Sequence, residues 1–312
     1  MVCTDGNKVR VHPRNQQNQF VRINGWTRPI HYLQVIAWVV LFLFSLVYFG
    51  VVAIAVVTPW KPAAYVCVGI LLLLHVAAHL AATTKNPGDE NARAQIKQNH
   101  QMPDFDRSKH EHVIENEYCN LCETYVNKES KHCRACNKCV KHFDHHCLWL
   151  NNCVGQRNYR YFFTTISTAF LGSLVIVIVS LFVFINSLME FQYLDPNVWW
   201  KSVSPPLFQA FIGVLIVLCI ICCALLGQLF FFHLLLIRRG ITTYDYIQIS
   251  RAKKQQNSTG NINSAANIAG DDVTEQDVAC STPSEYIGTE VNQKKDGGCE
   301  GKNCKWRSRQ FR

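Results

Sequence analysis

Tyr118–Phe162 reads YCNLCETYVNKESKHCRACNKCVKHFDHHCLWLNNCVGQRNYRYF and holds seven of the chain's 15 cysteines and four of its 12 histidines. Between Cys119 and Cys147 the apolar residues other than cysteine are few: Leu121, Tyr125, Val126, Ala135, Val140 and Phe143. So small a core does not fold alone. Bound metal has to supply the difference, and structural zinc contributes roughly 10–16 kcal/mol per site in finger peptides.

Two long apolar runs lie on each side of this stretch. Ile30–Val57, Ala63–Ala82, Phe162–Leu188 and Leu207–Ile237 are each long enough to cross a bilayer, for which about 20 residues suffice. The expected fold is therefore an all-α polytopic membrane protein, with four transmembrane helices and a metal-folded module (residues 118–161) between the second and third. Residues 1–29 are a polar, basic lead-in, and the first apolar run is too long for the h-region of a cleavable signal peptide. Residues 83–117 link helix two to the module, and Asn86-Pro87-Gly88 is a turn signal that ends that helix. Residues 238–251 follow helix four, and residues 252–312, rich in Asn, Gln, Ser, Thr and Gly, read as a disordered tail.

The net charge of +9 encodes orientation. Lys and Arg number 5 before the first run, 12 from Thr83 to Tyr161 and 12 after Ile237, but the two short loops carry only Lys61 and Lys201. The positive-inside rule places both termini and the cysteine-rich loop in the cytosol. Basic charge spread over juxtamembrane segments suits a membrane surface and argues against nucleic acid as the partner. On the reducing side, the soluble cysteines point to metal binding or catalysis rather than disulfides. Cys67, Cys219, Cys222 and Cys223 sit inside apolar runs and read as small packing residues. Cys280, Cys299 and Cys304 in the tail read as free thiols, with lipidation as the alternative.

Two CxxC knuckles, Cys119/Cys122 and Cys133/Cys136, each bring two thiolates to one ion through a tight turn. Sharing a single ion would leave His132, Cys139, His146, Cys147 and Cys153 idle. Ligand counting instead favours two Cys3His sites with one cysteine left over. Cys147 follows Asp144-His145-His146, and a cysteine beside a histidine steered by a carboxylate is the make-up of an activated thiol nucleophile. An ordinary thiol pKa near ~8.5 leaves little thiolate at neutral pH, so a base is needed. The competing reading makes Cys147 one more ligand or a structural thiol. His75 and His79 form an HxxxH pair on one helical face. Without further histidine boxes they read as polar residues facing the bundle interior or a cavity, not as a di-iron site.

The run from His132 to Phe162 resembles the DHHC family of protein S-acyltransferases, or palmitoyltransferases. The resemblance rests on the CxxC, HC, CxxC and DHHC elements, Trp149, the NNC and the following Asn and Phe, and covers the module and the four-helix layout. It implies a first zinc set of Cys119, Cys122, His132 and Cys139 and a second of Cys133, Cys136, His146 and Cys153. It also implies Cys147 as the acyl-carrying nucleophile, His145 as base and Asp144 as orienting carboxylate. Trp149 is expected near the acyl chain or the CoA entrance, and Thr243 on Asp144. The family's DPG is Asn86-Pro87-Gly88 here, and its TTxE is Thr242-Thr243-Tyr244-Asp245; only Asn303–Trp306 faintly matches its C-terminal element. The implied activity is transfer of a fatty acyl chain from acyl-CoA to cysteines of membrane-associated substrate proteins, on an endomembrane or the plasma membrane. The alternative is a non-catalytic zinc-containing membrane scaffold. Chain-length preference, substrates and oligomeric state are not written in the sequence.

Overall fold

The structure, a computed structural model, describes residues 20–95, 103–189 and 203–268. Tyr193, Trp199 and Trp200, whose aromatic rings suit an interfacial belt in the loop before the fourth span, lie outside these residues, as do the tail cysteines, Asn303–Trp306 and the first 19. The chain divides into two units, 1–246 and 247–312.

Four helices are long and apolar enough to span a bilayer: α1 (Tyr32–Ala55), α2 (Trp60–Thr84), α4 (Tyr159–Leu188) and α5 (Pro205–Arg239). Their large apolar side chains point outward as well as inward: Phe42, Leu73, Ile178 and Leu225 are all exposed. Only lipid makes such a surface stable around helices whose backbone bonds are internally satisfied. The protein is a multi-pass membrane protein. α4 is the central helix, packing on both α2 and α5. At one end of the bundle Tyr48, Val52, Val183 and Ile212 form a fully buried core, and Tyr48 Oη donates to Ala64 O across α1 and α2 (2.9 Å). The turn Tyr48–Val52 within α1 is π-helical.

The other end carries the cysteine-rich module. The expectation of an all-α chain needs correcting here, because seven short strands pair in three antiparallel sheets. These are β1 (Ile114–Glu115), β2 (Tyr118–Cys119), β3 (Thr124–Tyr125), β4 (Ser130–Cys133), β5 (Lys138–Lys141), β6 (His145–Cys147) and β7 (Asn152–Val154). None is longer than four residues. Hydropathy patterning does not reveal strands whose inward positions are metal-ligand candidates rather than aliphatic residues. A short helix, α3 (Glu90–Gln95), precedes the module.

Helix α6 (Thr243–Ile268) also departs from expectation, since helix continues well past Ala252. From Ile241 to Thr259 there is neither proline nor glycine, and Gln, Lys, Arg and Ala have good helix propensity. Polar composition alone does not break a helix.

Candidate active site and metal clusters

The two cysteine–histidine clusters are built by one rule applied twice. In the β4–β5 hairpin His132 lies directly opposite Cys139, and in the β6–β7 hairpin His146 lies directly opposite Cys153. Each cross-strand pair is completed by one CxxC knuckle. The donor atoms of Cys119, Cys122, His132 and Cys139 come together, as do those of Cys133, Cys136, His146 and Cys153. Glu123 and Asn137, the residues after each knuckle, hold positive φ values of 50° and 48°, turning the chain back toward its ligands.

The donor geometry fits a tetrahedral ion. Zn–S near ~2.3 Å and Zn–N near ~2.05 Å imply S···S edges of about 3.8 Å and S···N edges of about 3.6 Å. In the first cluster His132 Nδ1 lies 3.6, 3.5 and 3.8 Å from the sulfurs of Cys119, Cys122 and Cys139, and Cys122 and Cys139 are 3.8 Å apart. The second is slightly tighter: His146 Nδ1 lies 3.3 Å from Cys136 Sγ and 3.6 Å from Cys153 Sγ. Both clusters could hold a metal.

β6 connects the second cluster to the remaining chemistry. Side chains alternate along a strand, so His146 turns toward Cys136 and Cys153 and its neighbours His145 and Cys147 turn the other way. His145 Nδ1 lies 2.7 Å from Asp144 Oδ2. Asp144 is buried (2% exposed), and Thr243 bonds it twice, from its amide to Oδ1 (2.9 Å) and from its hydroxyl to Oδ2 (2.8 Å). Burial of Asp144 opposes its charge, but the bonds from His145 and Thr243 hold its pKa below the usual carboxylate value. Burial likewise disfavours charge on His145. Hydrogen bonds and charge from Asp144 and Cys147 outweigh it and raise the imidazole to about 9.

Thr242-Thr243-Tyr244-Asp245 is a reciprocal helix cap. Thr242 Oγ1 accepts from the Asp245 amide (3.1 Å), and Asp245 Oδ2 accepts from the Thr242 amide (3.1 Å) and hydroxyl (2.7 Å). This is a capping box with Asp in the Glu place. It leaves the Thr243 amide, a first-turn donor of α6, free to bind the Asp144 carboxylate. The shorter acid at the end of the motif therefore still serves.

Cys147 is nearly buried (8% exposed) and lines an apolar cavity of about 460 Å³ between α1, α2, α4 and α5 that is open on one side. Trp149, half exposed at 49%, stands in the wall beside it. The cavity reaches past His75 and His79 to Gly172, Ser173 and Cys219. His75 Nδ1 is bonded to Thr165 O at 3.1 Å, and among the described residues neither His75 nor His79 belongs to a metal-ligand group.

Sequence reasoning passed over the residues that dock the module on the helices. Asn152 Nδ2 donates to the carbonyls of Ala82, Thr83 and Lys85 (3.2, 3.2 and 3.0 Å), closing the end of α2. Asn158 Nδ2 donates to Ala82 O and Cys153 O, and Asn151 Nδ2 to Gly25 O and Pro29 O. All three asparagines are buried. Gly25 sits so close to the module that a Cβ there would lie 2.2 Å from Leu150 O. Lys138, also buried, donates to Ile23 O (2.7 Å) and Asn86 Oδ1 (3.1 Å), and the Gly88 amide caps the same Asn86 oxygen (3.0 Å). The neutral Asn86 thus keeps the acceptor role that an acid would have there. The asparagines' density within NNCVGQRN was the available signal. His233, buried on α5 beside His145, was also missed; a histidine in an apolar run was the sign.

A family model described as DHHC palmitoyltransferase matches residues 112–250. Mouse palmitoyltransferase ZDHHC11 is 38% identical over 273 residues, covering 80% of this chain and 79% of the relative. Mouse palmitoyltransferase ZDHHC1 is 40% identical over 78% of this chain and 54% of its own length. Zebrafish palmitoyltransferase ZDHHC11 is 42% identical over 72% of this chain and 56% of its own length. With the matched residues embracing both clusters, the Asp144–His145–Cys147 group and Thr243, the chain belongs to the DHHC palmitoyltransferase family.

Proposed function

We propose that this protein is a protein S-palmitoyltransferase that works in two steps through Cys147, with zinc in both clusters. The observation that carries this is the position of Cys147. It is the thiol shared by a His145–Asp144 pair and an apolar cavity among the four spanning helices. In the first step the Cys147 thiolate attacks the thioester carbonyl of a fatty acyl-CoA. The bond from that carbon to the CoA sulfur breaks, and the departing thiolate takes the proton from the His145 imidazolium. In the second step a substrate cysteine gives its proton to His145 and attacks the acyl-Cys147 thioester, which releases Cys147 as thiolate. Asp144, locked by Thr243, holds the proton of His145 on Nδ1 so that its other nitrogen serves the sulfur.

Membrane placement follows from the cargo. Each CH2 of an acyl chain costs about 0.8 kcal/mol to hold in water, so the nucleophile belongs at the interface with the tail among the helices. Trp149 would border the entering chain. The Lys and Arg distribution supports cytosolic placement of both termini and the module. The substrates would be proteins with cytosolic or juxtamembrane cysteines, and the compartment an endomembrane or the plasma membrane.

Purified protein in detergent, incubated with alkyne-tagged palmitoyl-CoA, should take up hydroxylamine-sensitive label. Cys147→Ser should take up none while still holding two zinc ions. A zinc-loaded wild type that stays unlabelled would sink the enzyme reading in favour of a scaffold.

A further inference from the structure

A second histidine lies behind the site. His233, four-fifths of the way along α5, is 2% exposed, and its ring centroid is 5.8 Å from that of His145. Ligand-type atoms of Asp144, His145 and His233 all fall within 4.8 Å of one another. Phe162 closes the triangle edge-on, with its ring 5.1 Å from His145 and 5.0 Å from His233. The Tyr159 hydroxyl, from the first turn of α4, lies 3.3 Å from His233 Nδ1. A polar ring this deep in an apolar helix is costly unless it is bonded and has something to do.

The position is informative because of what α5 leads to. Its C-terminal end leads through Gly240 directly to Thr243, which grips the Asp144 carboxylate. Two consecutive helices therefore bring residues to the same pair: α6 brings Thr243 to the acid and α5 brings His233 beside the ring of the base. The bond between Tyr159 and Nδ1 fixes the orientation of the His233 ring, which has a nitrogen within 4.8 Å of both an Asp144 oxygen and a His145 nitrogen.

We propose that His233, oriented by Tyr159, is a positioning residue that holds the His145 imidazole in register between Asp144 and Cys147 during acyl transfer. It does not touch the acyl group. The inference rests on the proposed role of Cys147 and His145.

The test is the rate of acyl-enzyme formation over a range of palmitoyl-CoA concentrations, with zinc content, for wild type, His233→Phe, His233→Gln, Tyr159→Phe and the double variant Tyr159→Phe/His233→Phe. Losing one orienting hydrogen bond should slow the saturated rate roughly tenfold. His233→Phe and Tyr159→Phe should show that loss with half-saturating palmitoyl-CoA and two zinc ions unchanged. The double variant should be no slower than His233→Phe, because the two groups act as one, and His233→Gln should recover part of the rate. His233→Phe at wild-type rate, additive losses in the double variant, or losses that track zinc or half-saturation would overturn the proposal. If His233→Phe fails to fold, Tyr159→Phe decides alone, since it removes only a hydroxyl; a wild-type rate there overturns it. An unlabelled, zinc-loaded wild type would instead mean that the reading of Cys147 itself has failed.

Discussion

Asp144 accepts three hydrogen bonds, one from His145 and two from Thr243, so its buried charge is almost fully answered. Bonds to a charged acceptor are worth about 1.5–3 kcal/mol each. Thr243→Val removes the hydroxyl and keeps the shape and the amide. Acyl-enzyme formation should fall by about 10- to 100-fold with zinc content unchanged, as time-resolved labelling will show. Asn86 makes a contrasting case. Its Oδ1 already accepts from Lys138 and Gly88, so Asn86→Asp would add charge beside a buried ammonium without adding a bond. Labelling by that variant should stay within about threefold of wild type, because an ion pair made there gains Coulomb energy and loses hydration together.

At the scale of elements, β6 joins the second cluster to the proposed catalytic pair, with His146 in the cluster between His145 and Cys147 on the opposite face. Cys153→Ser should therefore abolish labelling together with one metal ion. Cys119→Ser, in a cluster that does not include β6, should lose one ion and keep measurable labelling. Metal analysis beside the labelling assay separates the two, and equal loss of labelling would show that the hairpins fold as one unit. The junction of β7 with α2 is the second element-scale feature. Asn152→Leu removes one donor from three carbonyls at the end of α2; Ala82 O keeps Asn158 and Thr83 O keeps the Gly25 amide, but Lys85 O loses the bond that answers it. Orphaned buried groups cost about 1–3 kcal/mol each, so thermal stability in detergent should drop by several degrees with both metals retained.

For the whole molecule the decisive feature is the cavity that begins at Cys147 and runs between the helices. Gly172 is ten residues beyond Phe162 on α4, about 15 Å of helical rise, which is half the hydrocarbon thickness of a bilayer. Gly172 lines the cavity and a Cβ there meets nothing within 4 Å, so Gly172→Leu should take up cavity space. Acyl-CoA competition should show that variant shifted toward chains shorter than C16, with short-chain labelling preserved. An unchanged preference would mean that the tail takes another path.

Several features were legible because they are local. CxxC spacing, the excess of ligands over one ion, the cysteine following Asp-His-His, and four apolar runs each declare themselves within a few residues. The strands did not, since none exceeds four residues and their inward positions are mostly cysteine, histidine or polar, with Val140 and Val154 too few to make an alternating pattern. Nor did α6, where composition outvoted propensity. The tertiary structure alone decided where each buried polar group finds its partner: Thr243 on Asp144, Asn152 on the end of α2, Lys138 on Asn86, His233 beside His145. Those pairings span from 52 to 99 residues of sequence. A hydrogen bond has no periodicity to read, and only the folded chain shows which donor is left facing which acceptor. What the amino-acid order carried by itself was the inventory of candidate ligands, candidate nucleophile and spans; their assembly around two clusters and one apolar cavity lined by Cys147 came from packing.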